Sequence, residues 1–168
     1  VKDRMSYYEA RIVPIAEKQV FIIIRDITGR KKAEEALEHR LSFEKALTSI
    51  SAHFINMPVE KIDEGIDCAL RTIGSFTGID RAYLFRFRDG KYMDNTHEWC
   101  AEGISPQKEA LGGMQWWMER LRRDEIIDLS DIETIPTEPE RSWLRRQGIR
   151  SILAVPLFVD KRFFGFMG

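Results

Sequence analysis

The chain has 168 residues and a mass of 19.6 kDa, which allows one domain or one domain plus part of another; 43% of the residues are hydrophobic and 32% charged, enough for a core. Lys and Arg number 26 against 27 Asp and Glu, and the formal net charge of −1 excludes a chain built mainly to hold nucleic acid. The longest apolar run, Val20 to Ile24, is strand-sized and far short of the roughly 18 residues a membrane span needs.

Val1-Lys2-Asp3-Arg4 opens the sequence without the apolar core of a secretion signal, so none is expected. Tyr7 to Ile15 alternates loosely, with Tyr8, Ala10 and Ile12 on one face and Glu9 and Arg11 on the other. A polar turn, Ala16-Glu17-Lys18-Gln19, leads to Val20-Phe21-Ile22-Ile23-Ile24-Arg25, a buried strand by its β-branched composition. The pair predicts a hairpin, which is marginal in water by itself. Thr28 stands where it can cap the helix expected from Lys31 to about Asn56, a stretch free of Pro and Gly. Within it Ala36, Arg40, Phe43, Leu47, Ile50 and Phe54 recur at alternating four- and three-residue steps, a heptad seam with one charged member. The seam predicts either a helix that packs its apolar side on its own domain or, as the preferred reading, a parallel helical dimer over its first half, which is highly charged and has little to pack on, and intradomain packing over its second.

Met57-Pro58 breaks that helix, with Pro58 in the first turn of a second one whose apolar positions Ile62, Ile66, Ala69, Leu70 and Ile73 run up to a stop at Gly78. Arg81–Arg88 reads as a strand, Asp89-Gly90 as a turn, and Tyr92–Cys100 as the hairpin partner with Asn95, His97 and Trp99 on one face. Ala101–Gly113 reads as loop, Trp116–Arg123 as a short helix and Ile126–Leu129 as a short strand. Thr134–Arg141 reads as loop, Ser142–Gln147 as a short helix stopped by Gly148, and Arg150–Val159 as a strand. Asp160-Lys161-Arg162 turns into a last strand from Phe163. The order predicts an α+β fold, an antiparallel sheet flanked by helices, preceded by a hairpin and a long linker helix.

This order, with Arg81-Ala82-Tyr83-Leu84-Phe85, Thr96-His97-Glu98-Trp99-Cys100, Trp116-Trp117-Met118, the block Gly148 to Leu157 and Phe164-Gly165-Phe166, resembles a GAF domain over residues 42–168. GAF domains are small-molecule-sensing modules of bacterial signalling proteins. Residues 7–40, with Asp26-Ile27-Thr28, resemble the final hairpin of a PAS domain and the signalling helix that follows it. The resemblance implies a PAS–GAF tandem upstream of a histidine kinase or diguanylate cyclase. It divides the chain into 1–29, the hairpin remnant; 30–56, the signalling helix running into the first GAF helix; and 57–168, the GAF domain. It also implies a fragment of a larger protein, since the PAS-like part lacks its helices and first strands and the GAF-like part lacks the end of its last strand and a closing helix. A sheet cut within that strand exposes an edge, and dimerisation is the expected compensation.

Catalytic and metal chemistry finds little footing. His97-Glu98-Trp99-Cys100-Ala101 opens like a zinc-protease motif but has Ala101 where a second histidine is required. His39, His53 and His97 have no metal-ligand spacing, and no metal site is expected. Cys68 and Cys100 form no CxxC pair, which fits a reducing cytosol; Cys100 is expected to be a buried, inert thiol. Some GAF domains reduce methionine sulfoxide through cysteines, a third-ranked reading here. Gly112-Gly113 with Lys108 before it does not make a phosphate loop. The motif of cyclic-nucleotide GAF domains and the bilin-linking cysteine in its usual loop are both unrecognisable. The resemblance therefore leaves the cofactor unknown. Arg120, Arg122, Arg123, Arg141, Arg145, Arg146 and Arg150 interleave with acidic residues and are expected to be solvated or ion-paired.

The aromatic residues are more informative. Tyr83, Phe85 and Phe87 share one strand face, His97 and Trp99 one face of its neighbour, and Trp116, Trp117 and Leu121 come from the segment that covers the sheet in GAF domains. Together they either fill the core or line an apolar pocket with His97 as its polar contact. The expected function is a non-catalytic sensory module that binds an unidentified small molecule. It would relay the signal through a homodimeric helix, with neither nucleic acid nor membrane contact in these residues. The alternative is a ligand-free dimerisation module.

Overall fold

The computed structural model describes residues 5–16, 19–88, 92–107, 111–112 and 114–168, in two compact units, 1–49 and 50–168. Glu17, Lys18, Asp89 and Gly90 of the expected turns, with Lys108 and Gly113, lie outside the described residues.

In the first unit β1 (Tyr8–Ala16) and β2 (Gln19–Asp26) pair antiparallel. The register puts Tyr8, Ala10 and Ile12 on one face, as expected, opposite Asp26, Ile24 and Ile22. The expected burial of β2 is overturned: all eight of its residues are exposed, Ile24 at 67%. Its β-branched composition reports fit to a pleated strand, whereas burial requires a covering layer. Helix α1 runs from Thr28 to Ile55 with no buried residue. Thr28 does not cap it. The Asp26 carboxylate accepts the Thr28 N–H at 2.8 Å, while the Thr28 hydroxyl oxygen accepts the Tyr7 N–H at 2.8 Å and ties the helix start to the strand. The hydrogen bonds from Thr28 hold the Asp26 carboxyl below its usual range. Exposed pairs Arg30–Glu34 and Arg40–Glu44, each spaced i,i+4, line α1.

The second unit takes up the end of α1 from Ile50. Pro58 precedes a short 3-10 helix, Val59–Lys61, rather than entering the next α-helix, which is α2 (Ile62–Thr77). Gly78, with φ of 67°, ends α2 in the left-handed conformation, and its N–H returns to the Gly74 carbonyl at 3.0 Å. Six strands follow: β3 (Arg81–Arg88), β4 (Tyr92–Cys100), β5 (Leu111–Gly112), β6 (Ile127–Leu129), β7 (Ile152–Val159) and β8 (Arg162–Met167). They form one antiparallel sheet in the order β5-β4-β3-β8-β7-β6. The segment expected as loop thus contributes β5, which pairs with Tyr92 and Met93. The last strand is not an edge. It lies between β3 and β7, and Tyr83 and Gly168 exchange backbone hydrogen bonds of 2.7 and 3.0 Å. β3 and β8 approach closely at Gly165, where a Cβ would stand 2.0 Å from the Phe85 carbonyl oxygen.

Helix α3 spans Gln115–Arg122, and α4 spans Glu138–Arg146 after a 3-10 turn at Ile132–Thr134. α4 begins four residues ahead of the expected Ser142, because Pro139 falls in its first turn, where a missing N–H costs nothing. Helix α2 packs on one face of the sheet through β3 and β4. The main core lies on the other face, where Tyr83, Phe85, Met93 and Phe166 of the sheet meet Trp117 and Leu121 of α3. Leu144 of α4 joins Ile132 and Ile135 in an adjoining cluster. The result is the expected α+β architecture, an antiparallel sheet flanked by helices, with the hairpin and long helix preceding it.

The α2 face depends on one close approach. A Cβ at Gly74 would lie 2.2 Å from two Trp99 ring atoms. Gly74→Ala gains about 1 kcal/mol of helix propensity but forces overpacking worth about 1–3 kcal/mol. A lowered midpoint in thermal denaturation is expected, with Trp99→Leu restoring part of it in the double variant; an unchanged or higher midpoint would refute the contact.

Candidate functional site

The candidate pocket residues divide between the two faces of the sheet, and a β-bulge decides which goes where. Along β3 and β4 the pairing runs Ala82 with Trp99, Tyr83 with Glu98 and Leu84 with His97, then skips Thr96 to pair Phe85 with Asn95. The Thr96 hydroxyl donates to the Leu84 carbonyl at 3.1 Å, giving the extra residue a partner. Below the bulge the alternation is inverted. His97 and Trp99 face α2: the Trp99 ring lies against Gly74, and His97 Nε2 is 3.3 Å from Asp63 Oδ1. Asn95 moves to the Phe85 face, where its Nδ2 donates to Glu98 Oε2 at 3.1 Å. The expectation that Asn95, His97 and Trp99 share a face, and that His97 contacts a ligand beside Tyr83, is corrected accordingly.

The remaining six do gather on one side. Phe85 and Phe166 stack with centroids 5.0 Å apart and planes 3° from parallel. Tyr83 meets Phe85 edge-on at 5.4 Å, and Trp117 meets Phe166 edge-on at 6.0 Å. Leu121 is fully buried among them. Phe87 pairs with Phe163 at 5.6 Å under the Arg122 guanidinium, and Trp116 lies under that of Arg120 at 5.2 Å. A cavity of about 10 Å³ remains between Tyr83, Phe85, Phe166 and the segments Gln107, Met114, Trp117, Trp143, Leu144, Ile149 and Ile152. That volume is about what one water molecule needs. Phe87, Trp116 and Leu121 pack around this core without lining the cavity.

Sequence reasoning missed Gln107, Met114, Trp143 and Leu144. Trp143 and Leu144 fall within the expected helix Ser142–Gln147, but nothing in its spacing says that this helix packs over the sheet beside α3. Gln107 sits in a segment without periodicity, and nothing in its neighbours announces it. It is 7% exposed, and its backbone N–H donates to Glu98 Oε2 at 2.8 Å. Among the described residues, Gln107 Nε2, Trp117 Nε1, Glu98 Oε1 and Asn95 Oδ1 are buried without a hydrogen-bond partner. Burial, with the charge of Glu98 adding to it, raises the Tyr83 hydroxyl far above the ordinary phenol range, so it stays protonated.

The helices over this cavity are fixed by a buried acid. Glu140, 3% exposed, accepts the Trp117 N–H through Oε1 at 3.3 Å and the Thr137 hydroxyl through Oε2. One carboxylate thereby satisfies the Trp117 N–H in the first turn of α3 and holds the Thr137 hydroxyl at the start of α4. Outside it, Glu138 accepts from Ser142 and Arg141, and Arg145 bridges Glu133 and Glu138. The basic residues Arg120, Arg141 and Arg145 are thus ion-paired, as expected of that cluster. The Cys100 thiol is half-buried and pushed up by burial, which disfavours the reactive thiolate, while Cys68 is exposed on α2.

Two predictions follow from this framework of carboxylates. Glu140→Ala leaves the buried Trp117 N–H without an acceptor and is expected to cost about 1–3 kcal/mol in urea denaturation, with Glu140→Gln milder. A silent Glu140→Ala would remove the bridging role. Ser142 first and Arg141 second hold Glu138 down to about 2, from an ordinary 4.5. Its contribution to α4 is therefore complete above pH ~4.5 and lost as pH falls towards ~2. The protection of α4 amides, taken relative to the intrinsic exchange rate at each pH, should fall over that window, and in Glu138→Gln it should show no such pH dependence.

Comparison with known proteins places this geometry. The GAF domain family matches residues 62–168. The chain is 33% identical over 157 residues to the methanogenesis regulatory histidine kinase FilI of Methanothrix harundinacea, a match covering 87% of the chain and 17% of that protein. Among solved structures, the phycoerythrobilin-bound GAF domain of a cyanobacterial phytochrome superposes with a TM-score of 0.64 at 15% identity, over 76% of this chain and 80% of that one. The phycocyanobilin-bound GAF domain of a cyanobacterial phytochrome gives 0.62 at 17% identity, over 74% and 76%. The GAF domain of PixJ from Thermosynechococcus elongatus, in its blue-light absorbing form, gives 0.56 at 22%, over 66% and 71%. These structural likenesses concern the fold.

Proposed function

The chain belongs to the GAF domain family, and from that premise we propose that it is a non-catalytic sensory module of a signal-transduction protein. It detects a small molecule at the cavity between the sheet and α3–α4. One observation carries this reading: a small aromatic-walled cavity lies between the sheet and α3–α4, and two of the residues around it, Gln107 and Trp117, have buried N–H donors that no described residue satisfies. Buried polar groups of this kind mark a site for a ligand or water more readily than a filled core does.

The relay runs through α1, paired with α1 of a second copy. The helix carries Ala36, Arg40, Phe43 and Leu47 on its seam, with Phe43 and Leu47 exposed at 42% and 43%. Ile50 and Phe54 are half-buried, and Phe54 lies where a Cβ on Gly65 would touch it at 3.1 Å. This division supports a dimer seam in the first half of the helix and intradomain packing in the second. The output is a histidine kinase in preference to a diguanylate cyclase, on the strength of the likeness to FilI, of which the chain spans 17%. The hairpin at 1–29 belongs, in this reading, to a preceding PAS domain. Among the described residues no helix is long and apolar enough to cross a membrane. The cytoplasmic location in this reading is supported by the two free cysteines, Cys68 and Cys100.

A second reading, a ligand-free dimerisation module, is favoured by the cavity's small volume of about 10 Å³. Both readings need the helix pair. Light scattering coupled to size exclusion should give a dimer for the wild type and a monomer for Ala36→Glu/Phe43→Glu. A wild-type monomer at high concentration refutes the relay.

A further inference from the structure

We infer that Arg81 is the latch of the cavity: its guanidinium holds two segments of the wall, residues 101–107 and the C-terminal end of α4, against the sheet, and the two open together when it releases them. The inference rests on the ligand-sensing reading above and adds how that site is gated. Arg81 is the first residue of β3 and stands two positions from Tyr83, on the same face of a strand that lies between β4 and β8. Its two terminal nitrogens reach different segments. Nη1 donates to the Gln147 carbonyl at 3.3 Å, and Nη2 donates to the Ser105 carbonyl at 3.0 Å. Gln147 closes α4, where the last carbonyls of a helix lack partners within it and carry the negative end of its dipole. A guanidinium is always charged and its planar fork holds two acceptors at once.

A cavity of about 10 Å³ admits nothing larger than water, so sensing requires a wall to move. The walls differ in how they are held. Tyr83, Phe85, Ile152 and Phe166 belong to strands of the sheet. Trp117 is fixed by Glu140. Gln107 and Ile149 instead lie in the two latched segments, two residues beyond Ser105 and two beyond Gln147. Each segment bends at a glycine of positive φ near its anchored carbonyl, Gly103 at 83° and Gly148 at 73°. A Cβ at either would meet no atom within 4 Å, so these glycines serve the backbone bend and not close packing. Bends of this kind absorb the dihedral change when a segment swings. The Glu98 carboxylate, accepting the Gln107 N–H at 2.8 Å, ties the first segment; Arg81 is shared by both.

The test is amide hydrogen exchange on the full 168-residue chain, comparing the wild type with Arg81→Met, which keeps an unbranched stem and removes both donors. The Ile104 and Gln107 amides report the first segment, and the Gly148 and Ile149 amides the second. All four should exchange at least ten-fold faster in Arg81→Met, beyond any change at the Tyr83 and Gly168 amides, which bridge β3 and β8 and report general stability. Arg81→Lys, which keeps the charge and loses the fork, should loosen both segments by a smaller factor. It carries the test if the methionine variant does not fold. Acceleration in one segment alone, or none beyond Tyr83 and Gly168, overturns the latch and leaves the sensing reading standing. Access is read with benzene, an apolar probe for an apolar wall, at the Trp117 indole N–H signal in nitrogen-15 NMR, identified by Trp117→Phe. Benzene should shift that signal in Arg81→Met at a concentration at least ten-fold lower than in the wild type. A merely structural role for Arg81 would lower the stability of the whole domain without this gain. If both segments loosen and benzene still does not enter, the gate is overturned together with the sensing reading on which it rests.

Discussion

Glu140 is the constraint on which the cavity side of the sheet depends. Its carboxylate is in the core, 3% exposed, and is kept there by the Trp117 N–H and the Thr137 hydroxyl. A buried acid without such partners would be strongly unfavourable. With them it fixes the start of α3 relative to the start of α4, two helices that are only eight and nine residues long. Helices so short are not stable alone. Their position over Tyr83, Phe85 and Phe166, and with it the shape of the cavity, follows from this shared acceptor and from the apolar contacts of Trp117, Leu121 and Leu144.

Most of the architecture was legible because it rests on local signals. The periodicity of α2, its stop at Gly78, and the strands β3, β7 and β8 all follow from side-chain spacing and turn residues. The turn at Asp160 and Lys161, both at positive φ, was visible from its polar residues. The candidate site was legible only in half. Tyr83, Phe85 and Trp117 were found, since an alternating aromatic strand and a paired tryptophan stand out. The bulge at Thr96 was not, because strict alternation carries no mark of one extra residue, and a single inserted position exchanges the two faces. Gln107 was missed for another reason: its importance comes from what it is buried against, at a distance of nine positions from Glu98. The start of α4 was lost because Pro139 reads as loop unless its first-turn position is known.

The first unit presents the opposite situation. Its hairpin has the composition of an interior strand and the exposure of a surface, and α1 carries a seam with no buried residue. Exposed apolar surface on this scale is a sign of interaction. What stabilises the unit internally is modest: the hydrogen bonds linking Tyr7 to Thr28 and Asp26 to the helix start, and a series of exposed ion pairs. Such pairs are screened by water and contribute little.

The bulge in β4 has a mechanical consequence. Ordinary alternation sends Glu98 to one side and His97 and Trp99 to the other; the extra residue Thr96 brings Asn95 onto the Glu98 side, where the two bond, while His97 and Trp99 face α2. Trp99 meets α2 at Gly74, where there is no side chain to absorb a displacement. Glu98 and Trp99 are thus adjacent residues of one strand that bear on the two faces of the sheet, one on the Gln107 backbone N–H and the other on bare helix backbone.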